Sequence, residues 1–411
     1  MFFGVSFAKE VSVVLSTYHR LRILFVNFHM GINFLVQNVD SGGRAGILET
    51  AHGTVPTPTF MPVGTQASVK TLVPDELVAL GADVILGNTY HLYLRPGVST
   101  VREFGGLGKF MGWNGPTLTD SGGFQVYSLA DQAKITDEGV EFRSHIDGGI
   151  HVFTPELVMD YQTQLGADII MSFDQCIAYT DDISIARDAM HRTSRWAERC
   201  VASQPTGEQS LFGIIQGGMF ESLRDESASF MTKLGFPGYA IGGLGVGEPK
   251  STMYQLVKFS AALLPRDKPR YLMGVGSPED LVRCVASGVD MFDCALPTRI
   301  ARNGAVFTRL GRIDIASAIY KDSVSSVDDE CDCYACSNFT LGYLNHLFKA
   351  KELLGLRLAS IHNLRFVTRL MADVREAIML GTFEQFALEF LSSYQTANEE
   401  ARLEQRRKLS R

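Results

Sequence analysis

Residues 168–174, DIIMSFD, form a short apolar run that ends on an acidic side chain. A run of this length and composition is typical of a strand that is buried on both faces of a parallel sheet. Similar runs recur along the chain, and segments with helical periodicity such as 155–165 and 183–201 separate most of them. The runs are TPTFMPV (57–63), DVIL (83–86), TLT (117–119), DIIMSF (168–173), LFGII (211–215), YAI (239–241), YLMGV (271–275) and VDMF (289–292).

Strands that alternate with helices in this number predict an α/β fold, a (β/α)8 TIM barrel. A doubly wound sheet also alternates strands and helices, but no G-x-G-x-x-G fingerprint opens the chain. Small or polar residues follow almost every run, as a barrel active site at the carboxyl ends of its strands requires. These strand ends are Asn88-Thr89, Asp120-Ser121-Gly122-Gly123, Asp174, Gln216-Gly217-Gly218, Gly242-Gly243, Gly274-Val275-Gly276 and Asp293.

Three aspartates, Asp120, Asp174 and Asp293, stand at these strand ends. Each could instead simply cap the helix that follows it. An ordinary aspartate has a pKa of about 3.9 and is therefore anionic at neutral pH. Such a group can attack or stabilise an electron-poor carbon, and it can accept hydrogen bonds from the donor edge of a purine. We therefore expect the chemistry of the protein to lie with these carboxylates.

A compact cysteine motif near the carboxyl end predicts a zinc site. Cys331, Cys333 and Cys336 fall within six residues, and His362 follows after 25 intervening residues. Three thiolates and an imidazole complete a tetrahedral Zn2+ shell, so the site would be structural and not catalytic. The alternative is a disulfide with spare thiols, but Cys331 and Cys333 are too close in sequence to bridge comfortably.

The order of these features predicts the domain organisation. We expect an N-terminal extension of uncertain status (1–29), with Met30 as a possible true start, and a barrel domain (30–320). A zinc-binding lobe (321–363) on loops and short helices is inserted before the last barrel helix and a C-terminal helical segment (364–411). In that last part, apolar residues fall at helical spacing: Leu364, Val367, Leu370, Met371, Val374 and Ile378.

The overall composition is that expected of a soluble cytoplasmic protein. The chain has 411 residues, 45% of them hydrophobic, and a net charge of -7. No apolar run is long enough to span a bilayer. The negative balance does not exclude nucleic acid, because salt limits electrostatic interactions to about 8 Å and local arginine clusters can act alone. Such clusters are Arg299, Arg302, Arg309 and Arg312, and Arg357, Arg365 and Arg369, although ordinary solvated arginines would look the same.

Seven motifs in register resemble the bacterial tRNA-guanine transglycosylase family. The resemblance runs from about residue 38 to residue 380 without large gaps. The motifs are TLTDSGGFQV (117–126), FDQC (173–176), GIIQGG (213–218), YAIGGLGVGE (239–248), RYLMGVGSPEDL (270–281), MFDCALPTRIARNG (291–304), and CDCYAC (331–336) with IHNL (361–364). The family fold is a (β/α)8 barrel with a zinc lobe near its carboxyl end.

The resemblance implies a base exchange on RNA. Members of the family replace guanine at the wobble position of tRNAs with G-U-N anticodons (Asp, Asn, His and Tyr) by a 7-deazaguanine of the queuosine pathway, and neither ATP nor a redox cofactor takes part. Asp293 matches the family nucleophile, which forms a covalent intermediate with the ribose. Asp120 matches the general acid/base.

The same resemblance implies the binding residues. Asp174 matches the acceptor for the purine N1–H and amino group, and Glu248 a support of the nearby backbone. The base-binding positions are Ser121, Gly122, Gly123, Phe124, Asp174, Gln216, Gly243, Leu244 and Met273. The RNA-contact positions are Gly274, Val275, Gly276, Ser277, Pro278, Glu279 and Asp280, then Thr298, Arg299, Ile300, Ala301 and Arg302. Family members are homodimers with one structural zinc per subunit.

Some positions depart from the usual pattern of the family. Gln175 replaces a glutamate, residues 177–180 replace a proline-containing turn, Gly245 replaces an alanine and Ser277 replaces a common lysine. These changes suggest a larger or less charged pocket for the 7-substituent. The incoming base could then be queuine itself, and not 7-aminomethyl-7-deazaguanine.

Two other classes of protein remain to be weighed. A non-catalytic tRNA-binding subunit would keep the fold and the zinc but lose the nucleophile, whereas Asp120 and Asp293 are both present. A barrel hydrolase with catalytic zinc would need an open coordination position and histidines at the strand ends. The archaeal branch that modifies another tRNA position carries an extra RNA-binding domain, for which no room remains.

Overall fold

The computed structural model describes residues 31–129, 133–204, 207 and 209–395. The extension 1–29 therefore lies outside the described residues. Sixteen strands are described: β1 (Asn33–Asp40), β2 (Gly43–Thr50), β3 (Gly53–Thr57), β4 (Thr59–Met61), β5 (Ile85–Gly87), β6 (Thr117–Thr119), β7 (Lys134–Ile135), β8 (Val140–Arg143), β9 (Ile150–Phe153), β10 (Ile169–Met171), β11 (Ser210–Ile215), β12 (Gly238–Ile241), β13 (Arg270–Leu272), β14 (Met291–Asp293), β15 (Ala305–Thr308) and β16 (Gly311–Asp314).

Fifteen helices lie within these ranges. They are α1 (Pro74–Ala79), α2 (Thr89–Leu94), α3 (Val98–Glu103), α4 (Leu107–Met111), α5 (Gly123–Leu129), α6 (Pro155–Leu165), α7 (Ile183–Ser203), α8 (Glu221–Leu234), α9 (Lys250–Leu263), α10 (Pro278–Val285), α11 (Leu296–Arg302), α12 (Tyr334–Asn338), α13 (Leu341–Lys349), α14 (Leu353–Leu380) and α15 (Phe383–Ser393), with a 3-10 turn at Ala318–Tyr320. None of the helices in the described ranges is long and apolar enough to cross a membrane.

An eight-stranded parallel sheet forms the centre of the protein, in the order β4-β14-β13-β12-β11-β10-β6-β5. A parallel bridge between Val63 and Leu86 joins its two ends, so that the sheet closes into a barrel. The predicted (β/α)8 barrel is confirmed, and each predicted run contains or overlaps one of its strands. Buried side chains such as Met61, Ile169 and Met291 fill the interior.

The antiparallel sheet β1-β2-β3 closes the amino-terminal end of the barrel. Leu48 and Val55 of this sheet pack into the barrel interior. The Nε of Arg44 lies 3.1 Å from a carboxylate oxygen of Asp290, which precedes β14. This end of the barrel is therefore plugged, and the open end is the one that carries the polar strand ends.

Three antiparallel sheets lie outside the strands that the sequence predicted: β1-β2-β3, β7-β8-β9 and the hairpin β15-β16. Residues of β8 and β9 alternate between buried or half-buried and exposed positions. One-sided sheets of this kind give an alternating pattern and no continuous apolar run. A search for continuous runs therefore passes over them.

Helix α14 carries both a metal-site residue and the last predicted core residues. His362 is buried in it, as are Leu364, Val367 and Ile378. Cys333 caps the short helix α12, which contains Cys336. The sequence predicted loops and short helices for all four zinc ligands, and His362 differs because it lies inside a 28-residue helix. The boundary between 363 and 364 stays a prediction.

Candidate active site

A cavity of about 150 Å³ opens at the carboxyl ends of the barrel strands. Both predicted catalytic residues, Asp120 and Asp293, line it, together with all nine predicted base-binding residues. The other lining residues are Leu86, Asn88, Gln125, Cys176, Gly242, Gly245, Val246, Tyr271 and Gly274. The barrel topology thus brings together side chains from seven of its strand ends.

Asp120, which follows β6, is held by three hydrogen-bond donors and is only 8% exposed. Asn88 Nδ2 donates to Oδ2 at 2.5 Å, the backbone N–H of Thr89 donates to Oδ1 at 2.8 Å, and Gln125 Nε2 donates to Oδ2 at 2.8 Å. Burial raises the pKa of Asp120 to about 6, and these donors limit the rise because they favour the carboxylate. A carboxyl group with such a pKa can exchange a proton near neutral pH.

Asp293, at the end of β14, is held through a single carboxylate oxygen. The Tyr271 hydroxyl donates to its Oδ1 at 2.6 Å, and the backbone N–H of Gly274 donates to the same atom at 2.8 Å. Burial raises the pKa of Asp293 and also raises that of Tyr271 well above its ordinary value. Both donors come from β13 and the turn after it, so one neighbouring strand sets the orientation of this carboxylate.

Asp174, which follows β10, also lines the cavity and is 6% exposed. Ser121 Oγ donates to its Oδ1 at 3.1 Å, and Gln216 Nε2 donates to its Oδ2 at 2.8 Å. Burial raises the pKa of Asp174. The backbone of Gly123 passes so close that a Cβ there would lie 2.5 Å from the Asp174 carbonyl oxygen. Only glycine fits at position 123 without a backbone shift.

The loop after β12 is fixed by a buried glutamate. Glu248 is 5% exposed. Its Oε1 accepts a 2.5 Å hydrogen bond from the N–H of Gly245, and its Oε2 accepts 3.0 Å hydrogen bonds from Val246 and Gly247. Arg224, also buried, donates to the carbonyl oxygens of Gly218 and Gly242. The two charged side chains therefore hydrogen-bond to main-chain groups in the cavity wall. For Glu248, these bonds lie in the segment that it was expected to support.

Two apolar side chains stand at the cavity entrance. Phe124 lies in the first turn of α5, and its apolar side chain is 51% exposed. Met273 follows β13 and is half-buried. An exposed aromatic ring at a cavity mouth is available for stacking, which an ordinary core residue is not.

The predicted RNA-contact positions differ in their exposure. Gly274 and Arg299 are exposed and Arg302 is half-buried, whereas Val275, Ser277, Glu279 and Asp280 are buried. Asp280 forms an ion pair with Lys250 and accepts a 2.7 Å hydrogen bond from Tyr254. In the described chain, the side chains of Arg299 and Arg302 are therefore the accessible charged groups of this set, and RNA contact stays a prediction.

Most of the other arginines in the predicted clusters have acidic partners. Arg309 pairs with Glu330, Arg357 with Glu76, and Arg365 with Asp332. Arg369 donates to the carbonyl oxygen of Glu330. These pairs are what the alternative of ordinary surface arginines predicts.

Outside the cavity, Cys331, Cys333, Cys336 and His362 form a group whose ligand atoms all lie within 4.8 Å of one another. The Nδ1 of His362 lies 3.7 Å from Cys333 Sγ and 3.2 Å from Cys336 Sγ. A tetrahedral zinc with Zn–S and Zn–N bonds of about 2.3 and 2.0 Å would separate S and N by about 3.5 Å. The cluster can therefore hold a metal ion of this size.

Hydrogen bonds around the cluster also suit a metal. The Nε2 of His362 lies 2.6 Å from the carbonyl oxygen of Phe307, so Nε2 carries the hydrogen and Nδ1 offers its lone pair to the cluster. The N–H of Cys336 donates to the sulfur of Cys333. The three sulfurs and one nitrogen are a donor set typical of structural zinc.

The sequence matches the model of one protein family, described as queuine tRNA-ribosyltransferase, over residues 40–396. The chain is 57% identical to the queuine tRNA-ribosyltransferase of Caldanaerobacter subterraneus subsp. tengcongensis over 358 residues, which are 87% of this chain and 96% of that protein. It is 54% identical to that of Pelotomaculum thermopropionicum over 368 residues, which are 89% of this chain and all of that protein. The chain belongs to the queuine tRNA-ribosyltransferase family.

A third relative gives a similar match. The queuine tRNA-ribosyltransferase of Herpetosiphon aurantiacus is 54% identical over 363 residues, 88% of this chain and 93% of that protein. The resemblance drawn from the seven motifs is thus confirmed. The match also covers the cavity and the metal cluster in full.

The sequence did not predict the role of four residues that donate hydrogen bonds to the aspartates: Asn88, Thr89, Gln125 and Tyr271. Asn88 and Thr89 were visible as a polar strand end, but no signal connected them with Asp120. Gln125 lies five residues after Asp120, on the first turn of α5, so its reach depends on the helix that begins at Gly123. Tyr271 looked like part of an apolar run, and only its hydroxyl position shows its role.

The positions that depart from the family pattern are not all at the cavity. Gly245 lines it, whereas Gln175 and Ser277 are not among its lining residues. The side chain of Gln175 accepts a 2.6 Å hydrogen bond from Arg192. Ser277 occupies the N-cap position of α10 and is buried. Of these three substitutions, only the glycine borders the space where a base could lie.

Proposed function

We propose that the protein is a tRNA-guanine transglycosylase, which exchanges guanine at the wobble position of G-U-N tRNAs (Asp, Asn, His and Tyr) for a 7-deazaguanine of the queuosine pathway. Family membership supports the reaction class. One observation carries the proposal for this chain: Asp120 and Asp293, held by different donors, line the same cavity as Asp174 and Gln216. That cavity thus combines two reactive carboxylates with groups complementary to a purine edge.

Asp293 is the proposed nucleophile. Among the described residues, both of its hydrogen bonds reach Oδ1, and Oδ2 remains to attack the anomeric carbon of the ribose. As the Oδ2–carbon bond forms, the glycosidic carbon–nitrogen bond breaks and its electron pair leaves with guanine. The RNA is then bound to the protein as a covalent ester, and a second displacement by the new base restores the original configuration.

Asp120 is the proposed general acid and base. In the first half of the reaction, its protonated carboxyl gives a proton to the departing guanine. In the second half, it takes a proton from the incoming base as that base attacks the anomeric carbon and displaces Asp293. The proton balance is zero over the cycle. A pKa of about 6 allows both forms to be populated near neutral pH.

Asp174 and Gln216 are the proposed readers of the base. The carboxylate of Asp174 would accept from the purine N1–H and exocyclic amine, and Gln216 and the N–H of Gly243 would address its carbonyl. Phe124 and Met273 would enclose the ring, as flipped bases are usually held between aromatic and apolar side chains. A base that lacks the donors would leave the buried carboxylate unpaired, which costs several kcal/mol.

We assign zinc to the Cys331-Cys333-Cys336-His362 cluster as a structural ion, one per subunit. All four ligands come from the protein, so the ion would stabilise the lobe and take no part in the exchange. Its ligands join the turn before α12 to α14. This arrangement would fix the zinc-binding lobe (321–363) against the barrel.

The remaining expectations belong to the same proposal. The protein would act as a homodimer in the cytoplasm, and Arg299 and Arg302 would contact phosphates or bases near the exchanged nucleotide. The incoming base is 7-aminomethyl-7-deazaguanine or queuine. Gly245, with no side chain, offers extra space in the cavity wall, which favours tolerance of a larger 7-substituent.

A labelled-guanine assay tests the proposal. We expect the protein to incorporate labelled guanine into G-U-N tRNA, and the quenched mixture to contain a protein–RNA adduct. Asp293→Asn keeps the side-chain shape but removes the nucleophile, so we expect neither incorporation nor adduct. Full exchange by this variant would refute the role of Asp293, and absence of exchange by the unaltered protein would favour a non-catalytic tRNA-binding role. Competition between the two 7-deazaguanines then identifies the preferred incoming base.

A further inference from the structure

The antiparallel sheet β7-β8-β9 lies outside the barrel, but it is bonded to helix α2. The Tyr90 hydroxyl lies 2.9 Å from the Nδ1 of His145, and the Tyr93 hydroxyl lies 3.1 Å from the Nδ1 of His151. Tyr90 is fully buried. A buried hydroxyl needs a hydrogen-bond partner, and His145, in the turn between β8 and β9, provides it for Tyr90.

Helix α2 begins at the residues that hold Asp120. Asn88 and Thr89, which directly precede Tyr90, donate to the two carboxylate oxygens of Asp120. The Thr89 hydroxyl also donates to the Asp120 carbonyl oxygen at 2.5 Å. A shift of the first turn of α2 therefore moves the groups that fix the Asp120 carboxylate.

The loop after Asp120 is also enclosed by the sheet and the helix. A Cβ on Gly122 would lie 3.1 Å from the Phe153 ring of β9 and 3.3 Å from the Tyr90 nitrogen. The Tyr90 ring packs against Phe142 of β8 at 5.4 Å between ring centroids, and Phe142 packs against Phe153 at 5.0 Å. The loop therefore has little space in which to move.

The other end of the sheet is anchored to helix α7. Both Arg192 and Arg195 bond the Oδ1 of Asp137, at 3.0 and 2.7 Å. The indole N–H of Trp196 donates to the Asp137 carbonyl oxygen at 2.8 Å. These contacts fix the β7–β8 turn to a long helix, so the sheet can act as a rigid support.

We propose that Tyr90 is a positioning residue for Asp120, and that the sheet β7-β8-β9 sets the placement of Asp120 through the Tyr90–His145 contact. The proposal rests on the proposed function, because it concerns the proton transfer assigned to Asp120. Proton transfer requires the carboxyl to lie within hydrogen-bond reach of the base, and small displacements by remote changes lower the rate of a positioned reaction.

Tyr90→Phe tests this proposal, since it removes only the hydroxyl and keeps the ring. We expect kcat for guanine exchange to fall about 5- to 10-fold, while KM for guanine stays within about 2-fold because Asp174 and Gln216 are untouched. Tyr93→Phe is the matched control. Its hydroxyl contacts the same sheet one turn further along α2, but its neighbours do not hold Asp120, so we expect kcat to be unchanged.

A second variant identifies the partner. His145 is exposed, so His145→Ala should leave the melting temperature nearly unchanged and lower kcat by no more than Tyr90→Phe. The double variant should be no slower than Tyr90→Phe alone. Equal kcat for Tyr90→Phe and the unaltered protein, or equal losses in Tyr90→Phe and Tyr93→Phe, would overturn the proposal. The unaltered protein, assayed first, separates this outcome from failure of the proposed function, which would show no exchange at all.

Discussion

The Tyr271 hydroxyl donates a 2.6 Å hydrogen bond to Oδ1 of Asp293 from the neighbouring barrel strand. Adjacent parallel strands place these side chains at the same rim of the barrel, since Leu272 pairs with Phe292 in register. In the proposed reaction, this hydroxyl would stabilise the carboxylate both before it attacks the ribose and when it departs from the ribose. It also leaves one oxygen of the carboxylate with no hydrogen-bond donor in the described part of the chain.

Tyr271→Phe should therefore lower kcat about tenfold. A hydrogen bond to a charged group contributes about 1.5–3 kcal/mol, and part of that stabilisation acts on the transition state. KM for guanine should change little. Steady-state exchange measures the effect, with Tyr239→Phe, a buried tyrosine of β12 outside the cavity lining, as control. An unchanged kcat in Tyr271→Phe would show that Gly274 alone is sufficient to hold Asp293.

The raised pKa of Asp120 predicts a pH-dependent stability difference. Its folded pKa of about 6 lies above the ordinary value of 3.8, so the protonated group favours the folded state. This contribution is complete below pH 4 and is lost as pH rises through about 6. Asp120→Asn is neutral throughout, so its free energy of unfolding relative to the unaltered protein should rise by about 2 kcal/mol between pH 4 and pH 7. Urea unfolding at several pH values measures this difference, and a constant difference would contradict the assigned shift.

Asp174→Asn should reduce discrimination between bases. The amide can no longer accept from both the N1–H and the amino group of guanine, and it places a donor near the amide nitrogen of Gln216. We expect kcat/KM for guanine to fall at least 100-fold, in line with sites built to bond a specific polar edge. The preference for guanine over hypoxanthine, which lacks the amino group, should fall as well. Competition between the two bases measures this ratio, and an unchanged ratio would place recognition elsewhere.

Removal of the metal should unfold the zinc-binding lobe. Structural zinc binds with about 10–16 kcal/mol in small peptides, comparable with the stability of a whole domain. His362→Ala should lose the zinc found by metal analysis and lower the melting temperature. His346→Ala, on α13 in the same lobe, is the matched control and should retain the metal. A full complement of zinc in His362→Ala would exclude this ligand set.

Arg299→Ala should weaken RNA binding and leave base binding unchanged. Arg299 is exposed on α11, directly after the strand that carries Asp293. We expect KM for tRNA to rise about tenfold. The slope of log binding constant against log salt concentration should become less steep, by about the value of one phosphate contact. Arg312→Ala, an exposed arginine of β16, serves as control. Equal effects in the two variants would indicate general electrostatic attraction and no specific contact.

The barrel was predictable because most of its strands lie in short, largely apolar runs that are followed by glycine or a polar residue. Asp120, Asp174 and Asp293 could be placed in one cavity for the same reason, since strand ends meet at one rim. The antiparallel sheets were not predictable in this way. Strands β8 and β9, for example, alternate buried or half-buried with exposed residues and contain no long apolar run. Only the fold shows that Phe142 and Phe153 of the sheet β7-β8-β9 pack against Tyr90 of α2.

The support of the aspartates depends on distances that no sequence spacing reveals. Asn88 lies 32 residues from Asp120 along the chain, and Tyr271 lies 22 residues from Asp293. Such pairs become neighbours only after the barrel has closed. The same holds for Arg309, Arg357 and Arg365, whose charge is compatible with nucleic-acid binding in the sequence but is paired with acidic side chains in the fold.

Helix α14 connects a late part of the chain to the first described strands. Its Arg375 donates to the carbonyl oxygens of Gly46 and Thr57, both at 2.6 Å, in strands that leave the ribosome long before the helix does. During translation, β2 and β3 therefore gain these Arg375 hydrogen bonds only after the late helix has been synthesised. Nascent chains arrested before residue 353 should consequently remain sensitive to protease in the first strands, even with every barrel strand already synthesised.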